Sequence, residues 1–344
     1  MDEYESNVTI DEVGRLLDGA DRVVVTTHAK PDADAFGAVK GLTCALRRRG
    51  AEARALFMGP VPANLAQLWA PQEYALLETA GGIADCDLVV IVDTGAWSQI
   101  SKLREELTPA LGRTLIIDHH RTGNVEAAWR WIDSRASACC EMIGRLLDRE
   151  PRGRAALEDP TIRDALFVGL AADTGWFRFS NTTAQTHEWA ARFRRGGVDH
   201  ADLYRRLEQT QRPEKLALIS RALSSLVWVA DQRGAVMVLR DRDFAETGAL
   251  IEETEQIIDL PQMVGSVEVV ALVTQSGPED ADAGERAVRL SFRSKPGDGA
   301  VDVARLAGDF AGGGHVRAAG ARVCGALEEV VQRVQDAVAR ALRP

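Results

Sequence analysis

The chain has 344 residues, of which 46% are hydrophobic and 27% are charged. This balance is typical of a soluble globular protein, and the length predicts two domains. The formal net charge of −10 argues against a general DNA-coating protein, which needs a basic surface. No apolar run approaches the roughly 20 residues that span a bilayer, so no membrane association is expected.

The N-terminus and the cysteines indicate a cytoplasmic location. The first residues are acidic and do not resemble a secretion signal. Five cysteines without paired spacing form no disulfide framework, which fits a reducing compartment. The adjacent Cys139 and Cys140 are interpreted as buried small residues near the start of a helix rather than as a metal site.

Short apolar strands alternate with helical patterns in the first half of the chain. Strands are predicted at residues 23–27, 53–58, 88–92 and 114–117, and helices at 36–49, 137–149 and 161–172. This alternation predicts an α/β fold with a parallel sheet flanked by helices. The continuous Val and Ile runs fit strands that are buried on both faces.

A smaller α/β unit is predicted after a helical, charged stretch at about 184–212. Its strands are expected at 226–230, 235–240, 267–274 and 287–293, and its helices at 302–310 and 327–342. A polar, hairpin-like insertion is predicted at 275–286. The sequence thus predicts a catalytic domain over 1–195, a helical linker over 196–213 and a smaller second domain over 214–344.

Acidic and histidine residues cluster at the ends of elements in the first half. They are His28, Asp32 and Asp34 after the first strand, Asp93 after the third, Asp118-His119-His120 after the fourth, and Asp173 at the end of the last helix. Open α/β sheets bind ligands at the carboxyl ends of their strands, so these side chains are expected to converge. Carboxylates that lie so close repel one another unless cations sit between them, which predicts a metal site.

The donor set indicates two hard divalent cations. Asp32 and Asp34 are two residues apart and would point the same way on extended backbone. Two such carboxylates could hold cations about 3.5–4 Å apart, the spacing of two-metal phosphoryl-transfer sites. Asp93 would bridge the two cations, and His119 and Asp173 would complete the ligand set of the second cation. Oxygen and imidazole donors without thiolate favour Mn²⁺ or Mg²⁺, with Co²⁺ also compatible, over structural zinc.

A two-metal carboxylate site is typical of hydrolysis at phosphorus. His120 would donate to a phosphate oxygen or protonate the leaving group. Taken singly, each aspartate has an alternative interpretation as a turn residue or helix cap, and Asp32 could simply cap the helix that follows it. The aromatic residues near the clusters would either stack a base or pack in the core; they are Trp129, Trp131, Trp176, Phe177 and Phe179.

A glycine-rich run in the second unit is a candidate anion site. Successive glycines leave backbone N–H groups free to approach an anion, although a flexible turn is the alternative. Nearby arginines could contact phosphate in bidentate fashion. The candidate residues are Gly312, Gly313, Gly314, His315, Arg317 and, at the end of a predicted strand, Arg293.

Together these residues resemble the DHH phosphoesterase superfamily. The four N-terminal motifs match its pattern, including the Asp118-His119-His120 triplet, and the run from Gly312 to His315 matches the associated C-terminal DHHA1 domain. Length and motif order are similar to the nanoRNase/pAp phosphatase (NrnA) branch. The resemblance covers the chain after about the first 20 residues and implies a DHH domain, a helical linker and a DHHA1 domain.

The resemblance implies a role for each site residue. One Mn²⁺ would be bound by His28, Asp32 and Asp93, and a second by Asp34, Asp93, His119 and Asp173. Asp118 would orient a neighbouring ligand, and His120 would face the scissile phosphate. Arg293, Arg317, His315 and the glycines before it would hold the far phosphate or the terminal nucleotide of the substrate.

The branch implies hydrolysis of short oligoribonucleotides (nanoRNA) to mononucleotides and removal of the 3′ phosphate of pAp. Cleavage of cyclic or linear dinucleotides, such as c-di-AMP and pApA, is the alternative, and a homodimer is compatible with the resemblance. A family II pyrophosphatase is disfavoured because it uses a different C-terminal domain, and a RecJ-like exonuclease because it would add further domains. A non-enzymatic nucleotide sensor is disfavoured because every expected metal ligand is present.

Overall fold

This computed structural model describes residues 4–80, 82–254, 256–275, 287–297 and 299–343. The chain divides into two compact units, Met1–Thr210 and Gln211–Pro344. The polar insertion predicted at 275–286 falls almost entirely on 276–286, outside the described residues. Within the described ranges, no helix combines the length and the apolar character needed to cross a membrane.

The first unit is built on a six-stranded sheet with the order β3-β2-β1-β4-β5-β6, in which every neighbouring pair is parallel. Its strands are β1 Arg22–Thr26, β2 Glu52–Phe57, β3 Ala75–Leu76, β4 Leu88–Val92, β5 Thr114–Asp118 and β6 Trp129–Ile132. Strands β4 and β5 are buried along their whole length, which explains their uninterrupted apolar sequences.

Helices lie on both faces of this sheet. They are α1 Ile10–Asp18, α2 Ala33–Arg48, α3 Ala63–Ala66, α4 Leu77–Ala80, α5 Arg104–Leu107, α6 Cys139–Asp148, α7 Pro151–Leu157, α8 Pro160–Asp173, α9 Ala184–Arg195 and α10 His200–Glu208. Alternate residues of each strand face opposite sides of the sheet. Val23 and Val25 therefore join the core under α2, α6 and α8, while Val24 joins the core beside α5.

The strand order reverses between β1 and β4. One half of the sheet runs outward from β1 and the other from β4, so their carboxyl ends diverge into a crevice. The Thr27 hydroxyl donates to the Val92 carbonyl at 2.8 Å and joins the two strand ends. This places the segments after β1 and β4 side by side, where a ligand site is expected.

The predicted parallel sheet with flanking helices is confirmed, with differences at particular elements. Helix α2 begins at Ala33, three residues before the predicted start, because Asp32 caps it with a side-chain oxygen 2.9 Å from the Ala35 N–H. Strand β6 was not predicted, since its Trp-Arg-Trp-Ile sequence lacks the continuous aliphatic run of its neighbours.

The second unit contains a mixed six-stranded sheet with the order β11-β12-β10-β9-β8-β7. Its strands are β7 Val227–Val229, β8 Gly234–Leu239, β9 Val269–Gln275, β10 Ala287–Ser294, β11 Gly313–His315 and β12 Ala318–Cys324. Only the β8–β9 pair is parallel among the described residues.

The described part of this unit contains four α-helices: α11 Pro213–Ser224, α12 Asp241–Thr247, α13 Val303–Gly308 and α14 Leu327–Ala341. Helices α13 and α14 bury one face of the sheet, and α11 packs on the β8–β9 half of the other face. The predicted strands and the last two helices correspond to observed elements. Helices α11 and α12 were not predicted, because no element was assigned between the linker and the strand at 226–230 or between the strands at 235–240 and 267–274.

Candidate metal centre

The six predicted ligands converge at the crevice and fall in two groups of three. His28, Asp32 and Asp93 form one group, and Asp34, His119 and Asp173 form another; a third group, Asp93, His119 and His120, overlaps both. Within each group the ligand atoms lie within 4.8 Å of one another. Residues separated by up to 145 positions therefore meet, as the sequence predicts for strand ends at the reversal of strand order.

Asp93 belongs to the first group and also contacts the second. Its Oδ2 is 3.6 Å from His28 Nε2, and its Oδ1 is 3.3 Å from His119 Nε2. The residue follows β4 directly and has a φ of 61°, a left-handed backbone conformation that costs about 1–3 kcal/mol outside glycine. This backbone turns a buried carboxylate toward both groups instead of letting the strand continue.

Asp34 is held by the start of another helix. The backbone N–H groups of Cys139 and Cys140 donate to its two carboxylate oxygens at 2.6 and 2.9 Å. The first N–H groups of a helix lack partners within the helix, so those of α6 are available. The two cysteines are buried free thiols, as predicted. They contact Asp34 through their backbone N–H groups.

The expectation that Asp32 and Asp34 point the same way on extended backbone is wrong. Asp32 is the extended cap of α2, whereas Asp34 already lies in its first helical turn. The two carboxylates therefore fall into different groups of three. The capping interpretation of Asp32 is confirmed, since one of its oxygens accepts from the Ala35 N–H. The cap leaves the residue within reach of His28 and Asp93, so a role as metal ligand stays a prediction.

His119 and Asp173 complete the second group. His119 Nε2 lies 3.8 Å from both Asp34 Oδ2 and Asp173 Oδ2, and its Nδ1 lies 3.3 Å from the Ala136 carbonyl. With Nδ1 donating to that carbonyl, Nε2 is free to act as a ligand. Asp173 is the last residue of α8, in agreement with the prediction that it ends a helix.

His120 is oriented by Asp118, which is fully buried. An Asp118 oxygen accepts from His120 Nδ1 at 2.7 Å and from the His120 backbone N–H at 3.1 Å. The His120 side chain is 54% exposed, so its other nitrogen can meet a substrate. The hydrogen bond to Asp118 raises the pKa of His120 despite its partial burial, which favours the proton-carrying form.

Tyr4 is a residue that the sequence analysis missed. Its hydroxyl donates to the second Asp118 oxygen at 2.6 Å. Its ring lies where Cβ atoms at Gly95 and Gly123 would stand, within 1.9 and 2.3 Å of the ring or hydroxyl. No motif marks Tyr4, and the only signal available was a pair of glycines in the segments after β4 and β5.

The pKa values of Asp173 and His119 indicate that the cluster attracts positive charge. Burial raises the pKa of Asp173 to about 6, an effect that His119 opposes and the Asp93 and Asp32 carboxylates reinforce. Burial alone would lower the pKa of His119, but its contact with Asp93 and the charges of Asp34 and Asp173 raise it to about 10. The raised pKa of the Asp173 carboxyl and of the His119 imidazole indicates a strongly negative potential around these two groups.

The residues fit divalent cations. Asp93 Oδ1 is buried and has no hydrogen-bond partner among the described residues, which is costly unless another group approaches it. The surrounding donors are carboxylate oxygens and imidazole nitrogens, the set that Mn²⁺ accepts. Divalent cations would satisfy the unpaired oxygen and offset the repulsion between the carboxylates.

The aromatic residues near the site largely pack in the core. Trp131 is buried, and Trp129, Trp176 and Phe177 pack against the same core. Trp176 also donates from its indole nitrogen to Glu208 Oε1 at 3.1 Å. Only Phe179, which is 55% exposed, presents much of its ring to solvent.

The candidate anion residues of the second unit lie on or beside β11, β12 and β10, the three neighbouring strands at one side of its sheet. His315 ends β11 and is exposed, and Arg293 lies on β10 with its Nε 3.8 Å from Asp259 Oδ1. Each of these residues pairs in register with Ala318 of the intervening strand β12. Arg317 turns back toward the loop before α13, where its Nη1 donates to the Val301 carbonyl at 3.4 Å.

The local structure requires glycine at two of the three positions in the glycine-rich run. A Cβ at Gly312 would lie 2.2 Å from the Gly320 carbonyl oxygen, and Gly314 has a φ of 145°. A Cβ at Gly313 would meet nothing within 4 Å, so its surroundings are open.

Comparison with known proteins agrees with this architecture. Residues 22–170 match the family model described as DHH family, N-terminal domain. The chain is 30% identical to the bifunctional oligoribonuclease and PAP phosphatase NrnA of Thermus thermophilus, over 97% of this chain and 94% of that protein. The chain belongs to the DHH family.

Two further relatives of this DHH-family chain extend the comparison. The cyclic-di-AMP phosphodiesterase GdpP of Geobacillus thermodenitrificans is 25% identical over 94% of this chain but only 48% of its own length. A solved structure of an exopolyphosphatase-related protein from Bacteroides fragilis superposes with a TM-score of 0.83 at 22% identity. The superposition covers 96% of this chain and 95% of the Bacteroides fragilis chain, so the two proteins share a fold.

Proposed function

We propose that the chain is a divalent-metal-dependent phosphoesterase that hydrolyses short oligoribonucleotides to mononucleotides and removes the 3′ phosphate of pAp. The observation that carries this proposal is the convergence of two groups of candidate ligands, which Asp93 connects through its contacts with His28 and His119. The similarity to a relative named oligoribonuclease and PAP phosphatase along nearly the whole chain supports the same substrate class.

His28, Asp32 and Asp93 would hold one cation, and Asp34, Asp93, His119 and Asp173 the other, with Mn²⁺ favoured and Mg²⁺ or Co²⁺ compatible. Such a pair, when bound, supplies an activated water and neutralises charge on the reacting phosphate. Asp93 is suited to serve both positions because its two oxygens face different groups. The backbone donors at Asp34 fix that carboxylate before any cation arrives.

His120 would contact the reacting phosphate directly. Its Nδ1 is committed to Asp118, so the opposite nitrogen is the one that can donate to a phosphate oxygen or to the leaving group. Tyr4 and Asp118 would act as positioning residues, because they hold the imidazole without contacting the reacting atoms.

We also propose that the second domain, 214–344, is a DHHA1 substrate-binding domain that follows a catalytic domain (1–195) and a helical linker (196–213). Arg293, Arg317 and His315 would hold a second phosphate of the substrate, with Gly312, Gly313 and Gly314 leaving room for it. The shared register of Arg293 and His315 around Ala318 supports this assignment within the second unit.

Cleavage of c-di-AMP or pApA is the second candidate, favoured by the similarity to GdpP over 94% of this chain. A kinetic panel with Mn²⁺ separates the candidates: kcat/KM is measured for pAp, pApA, c-di-AMP and RNA of two to five nucleotides. We expect the highest values for the short RNAs together with turnover of pAp. Turnover confined to c-di-AMP and pApA would favour the second candidate, and no turnover of any substrate would contradict both.

A further inference from the structure

Two cavities of the first unit meet at a buried lysine. One has a volume of about 190 Å³ and lies between α2, α8 and α10. The other has a volume of about 480 Å³ and lies beside residues 66–70, where Trp69 forms part of its wall. Lys40 lines both cavities, so a molecule bound in either one would lie next to its side chain.

Lys40 is a buried cation with little to neutralise it. The residue is 8% exposed, and its Nζ donates to the Leu68 carbonyl at 2.5 Å. It forms no ion pair with a carboxylate among the described residues. Burial lowers the pKa of Lys40, as expected for an ammonium with few partners. An ammonium has three N–H donors, so two of them remain for a ligand.

Two other polar groups on the cavity walls lack hydrogen bonds. The indole N–H of Trp69 and the Oδ1 atom of Asp164 are buried and have no hydrogen-bond partner among the described residues. Asp164 Oδ1 lies 3.6 Å from Arg163 Nε, which is too far for a hydrogen bond. Buried polar groups are almost always paired with protein, water or a ligand. The cavities are where partners for Trp69 and Asp164 would lie.

These groups indicate the polar chemistry of an occupant. Lys40 and Trp69 are both donors, and Lys40 Nζ is 5.8 Å from the centre of the Trp69 ring, so one carboxylate could accept from both. A monoanion suits a single ammonium, whereas the second charge of a phosphate would be buried without a partner. Asp164 Oδ1 requires a donor, such as a hydroxyl or amino group of the same molecule.

The apolar walls indicate the rest of the occupant. The smaller cavity is lined by the side chains of Phe36, Val168 and Leu203. A cavity of about 150 Å³ holds benzene, so about 190 Å³ admits one six-membered ring or a branched chain of similar size. Arg206 also lines this cavity, but it already donates to the Gln67 carbonyl at 3.1 Å.

We propose that the cavities at Lys40 bind a small organic carboxylate that carries a hydroxyl or amino group and an apolar ring or branched chain. This site is separate from the metal centre, because Lys40 lies six residues after Asp34, about 9 Å along α2 at about 1.5 Å per residue. Helices α2 and α8 carry Asp34 and Asp173. An occupant between these helices would therefore contact the elements that position two metal ligands.

The test uses 3-phenyllactate, which combines a carboxylate, a hydroxyl and one aromatic ring. Its Kd is measured by isothermal titration calorimetry in EDTA, where no cation can hold a carboxylate at the metal centre. We expect saturable binding to the wild type with a Kd of about 1 mM or lower. Lys40→Met keeps the length of the side chain but removes the charge, and should weaken binding at least about tenfold. Trp69→Phe keeps a ring but removes the indole N–H, and should weaken binding about tenfold.

Lys102→Met is the matched control. Lys102 also donates to a backbone carbonyl, that of Met58 at 3.2 Å, but its side chain is 49% exposed and lines neither cavity. This variant should bind 3-phenyllactate as the wild type does. No saturable binding by the wild type, or equal affinities of Lys40→Met and Lys102→Met, would overturn the proposal. If thermal melting shows that Lys40→Met is unfolded, an affinity of Trp69→Phe equal to that of the wild type would overturn it.

A second probe tests the role of Asp164. 3-Phenylpropionate has the same carboxylate and ring as 3-phenyllactate but lacks the hydroxyl. The wild type should bind 3-phenyllactate about tenfold more tightly, and Asp164→Ala should lose this preference. A preference of the same size in Asp164→Ala would contradict the requirement for a donor group.

Discussion

At the scale of single residues, the site depends on carboxylates that face two ways. Asp93 meets His28 with one oxygen and His119 with the other, and its left-handed backbone sets this orientation. The sequence could predict its position because it directly follows the apolar run of β4. It could not predict the backbone angle, which arises from the surrounding tertiary structure.

Asp93→Asn is expected to lower kcat/KM by at least about 100-fold, because the amide cannot serve two cations as a carboxylate does. Calorimetry with Mn²⁺ should show loss of at least one binding event. Asp87→Asn is the matched control, since Asp87 lies at the other end of β4 in an exposed ion pair with Arg22. A variant at position 93 that keeps most of its activity would contradict the two-metal assignment.

Tyr4→Phe removes the hydroxyl that donates to Asp118 but keeps the ring between Gly95 and Gly123. A hydrogen bond to a charged group contributes about 1.5–3 kcal/mol, so we expect kcat to fall roughly tenfold. KM should change little, because Tyr4 positions His120 without contacting substrate. Tyr204→Phe, on the exposed side of α10, is the control; equal effects on kcat at both positions would refute a positioning role for Tyr4.

At the scale of elements, two closely packed helices determine the distance between Asp34 and Asp173. Asp34 lies in the first turn of α2, and Asp173 ends α8. Gly37 allows α2 to approach α8, since an added Cβ would lie 2.4 Å from the Ala165 carbonyl oxygen. The period of the sequence predicted both helices, but periodicity carries no information on how closely they pack.

Gly37→Ala should therefore destabilise the fold by about 1–3 kcal/mol, because the helices must separate to admit the methyl group. Urea unfolding monitored by circular dichroism measures this change. Gly112→Ala provides the comparison, as a Cβ there meets nothing within 4 Å. If both variants unfold at the same urea concentration, the contact at Gly37 is looser than the structure indicates.

At the scale of the whole molecule, the fold class was predictable and several details were not. Uninterrupted aliphatic strands alternating with helices predicted the parallel sheet and its ligand crevice. The strands of the second unit were also anticipated, but α11 was not, because no element was assigned between the linker that ends at Pro213 and the strand at 226–230. Contacts between residues distant in sequence, such as Tyr4 with Asp118, have no local pattern from which to be inferred.

Mn²⁺ should stabilise the intact protein, because the cations would relieve repulsion that exists only in the folded cluster. A ligand present at 100 times its Kd adds about 2.7 kcal/mol to the free energy of unfolding. Differential scanning fluorimetry should show a higher Tm with Mn²⁺ and a return to the original value with EDTA, with activity lost in parallel. A Tm that does not respond to Mn²⁺ would contradict binding at this centre.

The main-chain donors to Asp34 have a consequence for the tolerance of this centre to sequence change. The side chains of Cys139 and Cys140 can be exchanged for others of similar size without removing either N–H, and only proline would delete one. Diverged homologues could therefore lack both thiols and still hold the same carboxylate in place. The residue types at positions 139 and 140 are therefore poor indicators of whether a homologue is catalytically active.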